Sequence, residues 1–261
     1  MKKIALTSLL AVLATTGANA ANVIDGNPLY MPQKGHFVSE TVVGSNSQND
    51  QDWSLGERFG WGITDRLTVG LTTSVTEHAF FENFSWNEVA VDGVYRLIDD
   101  CAWKLDVLAG FEVTPMRAYH NSMFEKDMTT YSWMAGVRGG YMTEDWTLMA
   151  HANFIYTNSG MFNWAYDDEY NQNHNLNLGV AGHWTFSDRW SAIASADYYK
   201  TLDSYFDANN HGLWELAAGL NFNFDETKYL GVYITKDIVH NDGDWESQDG
   251  IGFGVKFGVD F

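Results

Sequence analysis

From Asp249 to Phe261 the chain sorts its side chains by parity: Ile251, Phe253, Val255, Phe257, Val259 and Phe261 fall on one face, and Gly252, Gly254, Lys256, Gly258 and Asp260 on the other. A two-residue period belongs to an extended strand, not to a helix. One row is uniformly apolar and its neighbour row is small or charged. That sorting suits a closed barrel whose outer face meets hydrocarbon and whose inner face meets water.

The amino terminus points to the same compartment. Lys2 and Lys3 precede the apolar run Ile4 to Ala14, and Ala18-Asn19-Ala20 offers a small-x-small cleavage site. Residues 1–20 are expected to be a removed secretion signal, because the run is shorter than the roughly 20 residues a spanning helix needs. Residues 21–35 are expected to form a periplasmic segment and 36–261 the barrel. Pro28 and Pro32 flank Leu29-Tyr30 and argue against a long strand there. That stretch either folds into the periplasmic mouth as a small plug or hangs free.

Alternation recurs along the chain. Segments opening at His36, Trp53, Leu67, Asn87, Trp103, Thr129, Trp146, Asn175, Trp190, Leu213 and Tyr229, with the terminal strand, give about twelve antiparallel strands. Ten or fourteen stay open, and the facing of Tyr229 to His240 is ambiguous. Short turn signals stand at Thr64-Asp65-Arg66, Ile98-Asp99-Asp100, Thr143-Glu144-Asp145, Ser187-Asp188-Arg189 and Asp225-Glu226-Thr227-Lys228. Asp, Ser and Thr favour turns because their side chains satisfy nearby backbone groups. Longer polar connections separate the same segments on the other side. Short periplasmic turns, long extracellular loops and an even strand number describe an up-and-down transmembrane barrel.

A soluble β-sandwich is the competing architecture, and the aromatic residues argue against it. Trp103, Trp146, Trp190 and Tyr229 follow short turns, Phe111, Trp133, Tyr156 and Trp214 stand toward the long connections, and Ala109, Ala135 and Ala150 lie between. Two belts of amphipathic rings match two membrane interfaces, whereas a sandwich core would concentrate rings at mid-strand. The clearest strands place no charge on the apolar face.

Less the two signal lysines, 13 basic side chains face 34 acidic ones, a formal charge of −21 that argues against a nucleic-acid partner. Cys101 is the only cysteine, so no internal disulfide forms.

The signal sequence, the Trp61-Gly62-Ile63-Thr64-Asp65-Arg66-Leu67 hairpin and the alternating Phe253 to Phe261 end resemble Gram-negative outer-membrane β-barrel proteins of the porin-like group. The likeness is one of architecture and carries no substrate. It implies residence in the outer membrane among lipid and lipopolysaccharide. It also implies that Phe253, Val255, Phe257, Val259 and Phe261 serve as the signal read by the barrel-assembly machinery.

Inward-facing charges are expected at Arg58, Glu88, Asp92, Arg96, Lys104, Asp106, Glu112, Arg138, Asp197, Glu215 and Lys256, with Glu40 less secure. They line a hydrated pore or form an ion-pair network that fills the barrel. About eight strands give a filled interior and sixteen to eighteen an open channel, so roughly twelve leaves both readings standing. Acids counted to the long connections, from Asp50 and Asp52 through Asp167, Asp168 and Glu169 to Asp237, Asp242 and Asp244, would make the mouth mildly cation-preferring.

Two motifs fall short of chemistry. His240, Asp242, Asp244 and Glu246 resemble an oxygen-rich calcium loop but lack its glycine and distal glutamate. His120-Asn121-Ser122 has the His-x-Ser spacing of outer-membrane lipid hydrolases, but Met123-Phe124 replaces the Asn-Gly that follows it there and no third member orients the pair. The expected function is a narrow passive channel for small hydrophilic solutes, not an enzyme, without metal or cofactor. The alternatives are a lumen-blocked barrel displaying loops such as Met161 to Tyr170, or remotely a lipid-modifying enzyme.

Overall fold

The computed structural model describes residues 26–46, 53–78, 83–116, 128–160, 172–203, 212–241 and 244–261. Twelve strands run in chain order: β1 (Phe37–Asn46), β2 (Trp53–Thr64), β3 (Leu67–His78), β4 (Asn83–Asp100), β5 (Trp103–Met116), β6 (Met128–Met142), β7 (Trp146–Gly160), β8 (Gln172–Ser187), β9 (Trp190–Asp203), β10 (Gly212–Asp225), β11 (Lys228–Asn241) and β12 (Asp244–Asp260). Each pairs antiparallel with its sequence neighbour, and β1 pairs with β12, so the sheet closes on itself. Closure leaves no free strand edge, the condition for a sheet to sit in hydrocarbon. The seam is in register from Val38↔Asp260 to Asn46↔Gly252. Past it, Phe37 and Phe261 exchange backbone hydrogen bonds of 3.3 and 2.7 Å.

The turn residues act as their chemistry suggests. Thr64 Oγ1 accepts from the Arg66 amide at 3.2 Å, Thr143 Oγ1 from Trp146 at 3.1 Å, Ser187 Oγ from Trp190 at 3.1 Å and an Asp225 carboxylate oxygen from Thr227 at 2.8 Å. One turn lies later than its sequence signal. Ile98-Asp99-Asp100 is the end of β4, and the reversal falls on Cys101 and Ala102. Cys101 takes φ 43°, the positive-φ non-glycine among the described residues. The ladder slips one position between Arg96 and Ile98, which carries the strand past its expected stop.

The outward row is apolar and exposed. Trp184 and Ile234 are each 59% exposed and Phe257 42%, with Ala109, Ala135, Ala150 and Ala194 between the rings. Rings touch along both rims. Trp103, Tyr141 and Trp146 form a chain at the short-turn end with centroids 5.2 and 5.1 Å apart, and Phe111, Trp133 and Tyr156 form another toward the opposite end at 5.4 and 5.6 Å.

Two residues depart from the expected facing. Tyr229 is not in the outer belt: it is buried inside against Val38, with its hydroxyl donating to Glu40. The first residue after a turn can belong to either row, and here the register Tyr229↔Gly258 puts it in the inner one. Glu57 carries a charge onto the outward row of β2, between Phe59 and Leu55, where it accepts from Ser39 at 2.5 Å and Thr41 at 2.6 Å. Two hydroxyl donors from the neighbouring strand supply part of the solvation that hydrocarbon cannot.

Candidate functional site

The candidate site is the barrel interior. Adjacent strands place directly opposed residues on the same face, so the ladder carries one charged row around much of the wall. Arg96 opposes Asp106, Asp106 opposes Arg138, Arg138 opposes His151, and His151 opposes Gly179. Gly179 then opposes Asp197, Asp197 opposes Glu215, and Glu215 opposes Asp237. The row starts four residues from the short-turn end of β4 and finishes four residues from the far end of β11. It climbs the lumen, cationic low and anionic high. Asp237 therefore lies on the inner face of β11 and not in a loop. Its segment reads ambiguously because the large rings of Tyr229 and Tyr233 stand on the inner row, opposite Asn223 and Gly219.

The lower part of the row is cross-linked. Asp106, fully buried, accepts from Arg96 Nε at 2.8 Å and Nη2 at 3.2 Å, and from Arg138 Nε at 2.7 Å. Arg58 pairs with Asp92 at 3.0 Å. Farther along, His151 Nε2 stands 2.8 Å from Asn177 Oδ1 and 3.2 Å from Asp197 Oδ1, and Asn153 donates to the same Asn177 oxygen at 3.0 Å. Gly179 makes this junction possible: a Cβ there would come within 2.3 Å of both Asp197 Oδ1 and the His151 ring. Glu112 accepts from Thr114 at 2.7 Å, and Glu88 is buried.

Two expected lining residues point elsewhere or are covered. Lys104 turns back to the short turn, bonding Asp99 and the Cys101 carbonyl, so it caps the rim. Lys256 lies 5.1 Å from the centroid of the Tyr233 ring. That ring has room because β12 offers Gly254, where a Cβ would meet it at 2.3 Å.

Residues 26–36 fold into the short-turn mouth and pack against its inner wall. Asn27 donates to Thr147 at 2.9 Å, and Leu29, fully buried, packs with Met149 and Ala181. Met31 packs with Val94 and Leu108, Tyr30 donates to Asp260 at 2.8 Å, and His36 Nδ1 is 3.0 Å from the same carboxylate. The segment's backbone is gripped as well: Arg96 Nη2 donates to the Leu29 carbonyl at 2.5 Å and Arg138 Nη1 to that of Pro28 at 3.1 Å. Gly26 and Gly35 have positive φ, 72° and 84°, at the two ends of this crossing. The plug, one of the two outcomes the sequence left open, is the one observed.

The interior is uneven. From β4 to β8 its side chains are mostly buried, and the apolar cluster Met31-Val94-Leu108 meets at Met134 a second one, Ile155-Tyr199-Leu213, which joins β7 to β9 and β10. A cavity of about 30 Å³ beside Arg58, Asp92, Glu112 and Ser132 has room for about one water. From β9 to β12 the mid-height residues are smaller and half-buried: Ser195 opposes Ala217, which opposes Thr235, with Gly219 alongside.

Most loop candidates lie outside the described residues, among them His120 to Ser122, Met161 to Tyr170, Asp242 and residues 1–25. Among the described residues no cluster of three or more His, Cys, Asp or Glu is arranged to hold a metal ion. The row's continuity and the wall residues that hold residues 26–36 escaped sequence reasoning, which leaves that segment either docked or free. Inward parity was readable, but register and an aperiodic segment's partner were not.

No protein-family model and no curated protein matches this sequence. Solved structures do. The chain is similar to the NanC porin, with 13% identity over 84% of this chain and 98% of that one and a TM-score of 0.55. It is similar to the KdgM porin described in complex with disordered oligogalacturonate, with 10% identity over 86% and 99% and a TM-score of 0.53. The translocator domain of the autotransporter NalP from Neisseria meningitidis gives 10% identity over 98% of both chains and a TM-score of 0.56. At these identities the likeness concerns the backbone: the chain has the fold of the outer-membrane β-barrel proteins, in a closed twelve-stranded form.

Proposed function

We propose that the protein is a narrow, passive, porin-like channel of the bacterial outer membrane for small hydrophilic solutes. It is exported through a cleaved signal at residues 1–20 and folded through its terminal strand by the barrel-assembly machinery. The observation that carries this reading is the less buried side of the lumen, where Ser195, Ala217, Gly219 and Thr235 leave a strip of half-buried small and polar surface. Asp197, Glu215 and Asp237 at the upper end of the charged row, with the formal charge of −21, favour cations by raising their local concentration.

Purified protein in planar bilayers tests this. Small discrete conductance steps and a reversal potential displaced toward the cation value are expected in a salt gradient. Anion-favouring reversal would remove the cation preference. A second reading is a closed barrel that only displays its loops, favoured by the packed β4–β8 wall and the seated residues 26–36. Silence across several salts and voltages would select it.

A further inference from the structure

Two arginines share one carboxylate at the foot of the charged row. Arg96 and Arg138 both turn their Nε toward Asp106, and together the three carry a net positive charge in a site where none is more than 6% exposed. The neighbouring Arg58–Asp92 pair is self-neutralising and leaves that excess standing. The segment seated against them answers it only with neutral groups, the carbonyl oxygens of Pro28 and Leu29. Arg138 Nη2 is buried without any partner. A buried guanidinium edge of this kind lacks a full complement of acceptors, and an ionised acceptor bonds it about twice as strongly as a neutral one.

We propose that the Arg96–Asp106–Arg138 clamp is a binding seat for a small carboxylate anion, and that residues 26–36 occupy it in the anion's absence. The two segment carbonyls stand in for carboxylate oxygens. One monovalent anion would neutralise the clamp, bond the guanidinium edges more strongly and give Arg138 Nη2 its missing acceptor. The segment competes because it is tethered to β1 and so acts at a high effective concentration. The anion therefore has to be present at millimolar levels or above. Binding of the anion and seating of Leu29 exclude one another, so the anion unstoppers the short-turn mouth. This deepens the channel reading by naming what opens it.

The test reads seating directly. In a Cys101→Ser background, Leu29→Cys places a thiol where the native side chain is fully buried, and a water-soluble thiol reagent reports how often that position is exposed. Sodium acetate is titrated against sodium chloride at constant ionic strength. A several-fold, saturating rise in modification rate with acetate is expected, and no such rise with chloride. Arg138→Met should abolish the acetate response. Should that variant fail to fold, Arg138→Lys keeps the charge without the planar fork and should weaken the response. A rate independent of acetate, or equal acceleration by both salts, overturns the proposal, as does an undiminished response in Arg138→Met. The readout needs no current. An acetate response in a silent barrel would remove the channel reading and keep the seat, and conductance without an acetate response would do the reverse.

Discussion

The two sides of the lumen wall are built from the same alternating strands and reach different ends. From β4 to β8 the inner row carries long side chains that meet across the ladder: Arg96, Asp106 and Arg138 in one network, and His151, Asn153 and Asn177 in another, reaching Asp197 on β9. At mid-height from β9 to β11 the same row holds Ser195, Ala217, Gly219 and Thr235, while Asp197, Tyr199, Leu213 and Glu215 toward the far end are buried and Tyr229 and Tyr233 fold toward β1 and β12. Strand pairing alone thus leaves the interior's state undecided. Side-chain length on the inner row decides whether a twelve-stranded barrel is filled or wet.

The largest difference between the sides should appear in stability. Asp106→Ala leaves two buried guanidiniums without their shared carboxylate and should cost about 3–5 kcal/mol in reversible urea unfolding. Thr235→Ala on the opposite side should stay within about 0.5 kcal/mol. Equal losses would mean that the sides are not mechanically distinct.

A Cβ at Gly62 would stand 2.1 Å from the Gln33 carbonyl oxygen and 2.7 Å from that of Pro32, so Gly62→Ala should unseat residues 26–36. Faster hydrogen exchange at the Leu29 and Tyr30 amides would register it. Gly110→Ala, with its nearest neighbour at 3.4 Å, should leave exchange unchanged.

Conductance should respond less. Ala217→Trp places a large ring on the wetter side and should roughly halve the conductance if solutes pass there.

The smallest expected effect is on pH dependence. Burial first, and then the hydrogen bond and charge of Asp260, push the Tyr30 phenol well above its usual 10.0. The folded state thus prefers the neutral phenol. Its contribution to docking is complete below pH 10 and is lost as pH rises beyond that value. Exchange protection at Leu29 should hold at pH 9 and fall on stronger alkalinisation, and Tyr30→Phe should remove the dependence.

Parity made much of this molecule legible in advance. The faces of β5, β6 and β12, the turn chemistry at Thr143 and Ser187 and the inward facing of Arg58, Arg96, Asp106, Arg138, Asp197 and Glu215 follow from a two-residue period and local bonding, which act over a few residues. What stayed hidden depends on long-range register. Tyr229 sits beside a turn where either row is available, and only pairing with Gly258 fixes it. Glu57 is tolerated outward because Ser39 and Thr41 on another strand reach it. The seat of Leu29 is assembled from β4, β7 and β8, which no local pattern brings together.

Ala194 and Ser195 are consecutive on β9, and in a barrel sorted by parity they face opposite solvents. In a Cys101→Ser background reconstituted into vesicles, Ser195→Cys should react readily with a small water-soluble thiol reagent. Ala194→Cys should resist it and yield only to a lipid-soluble one. Rapid aqueous modification at position 194 with protection at 195 would contradict a barrel with an apolar outer row and a wet inner one.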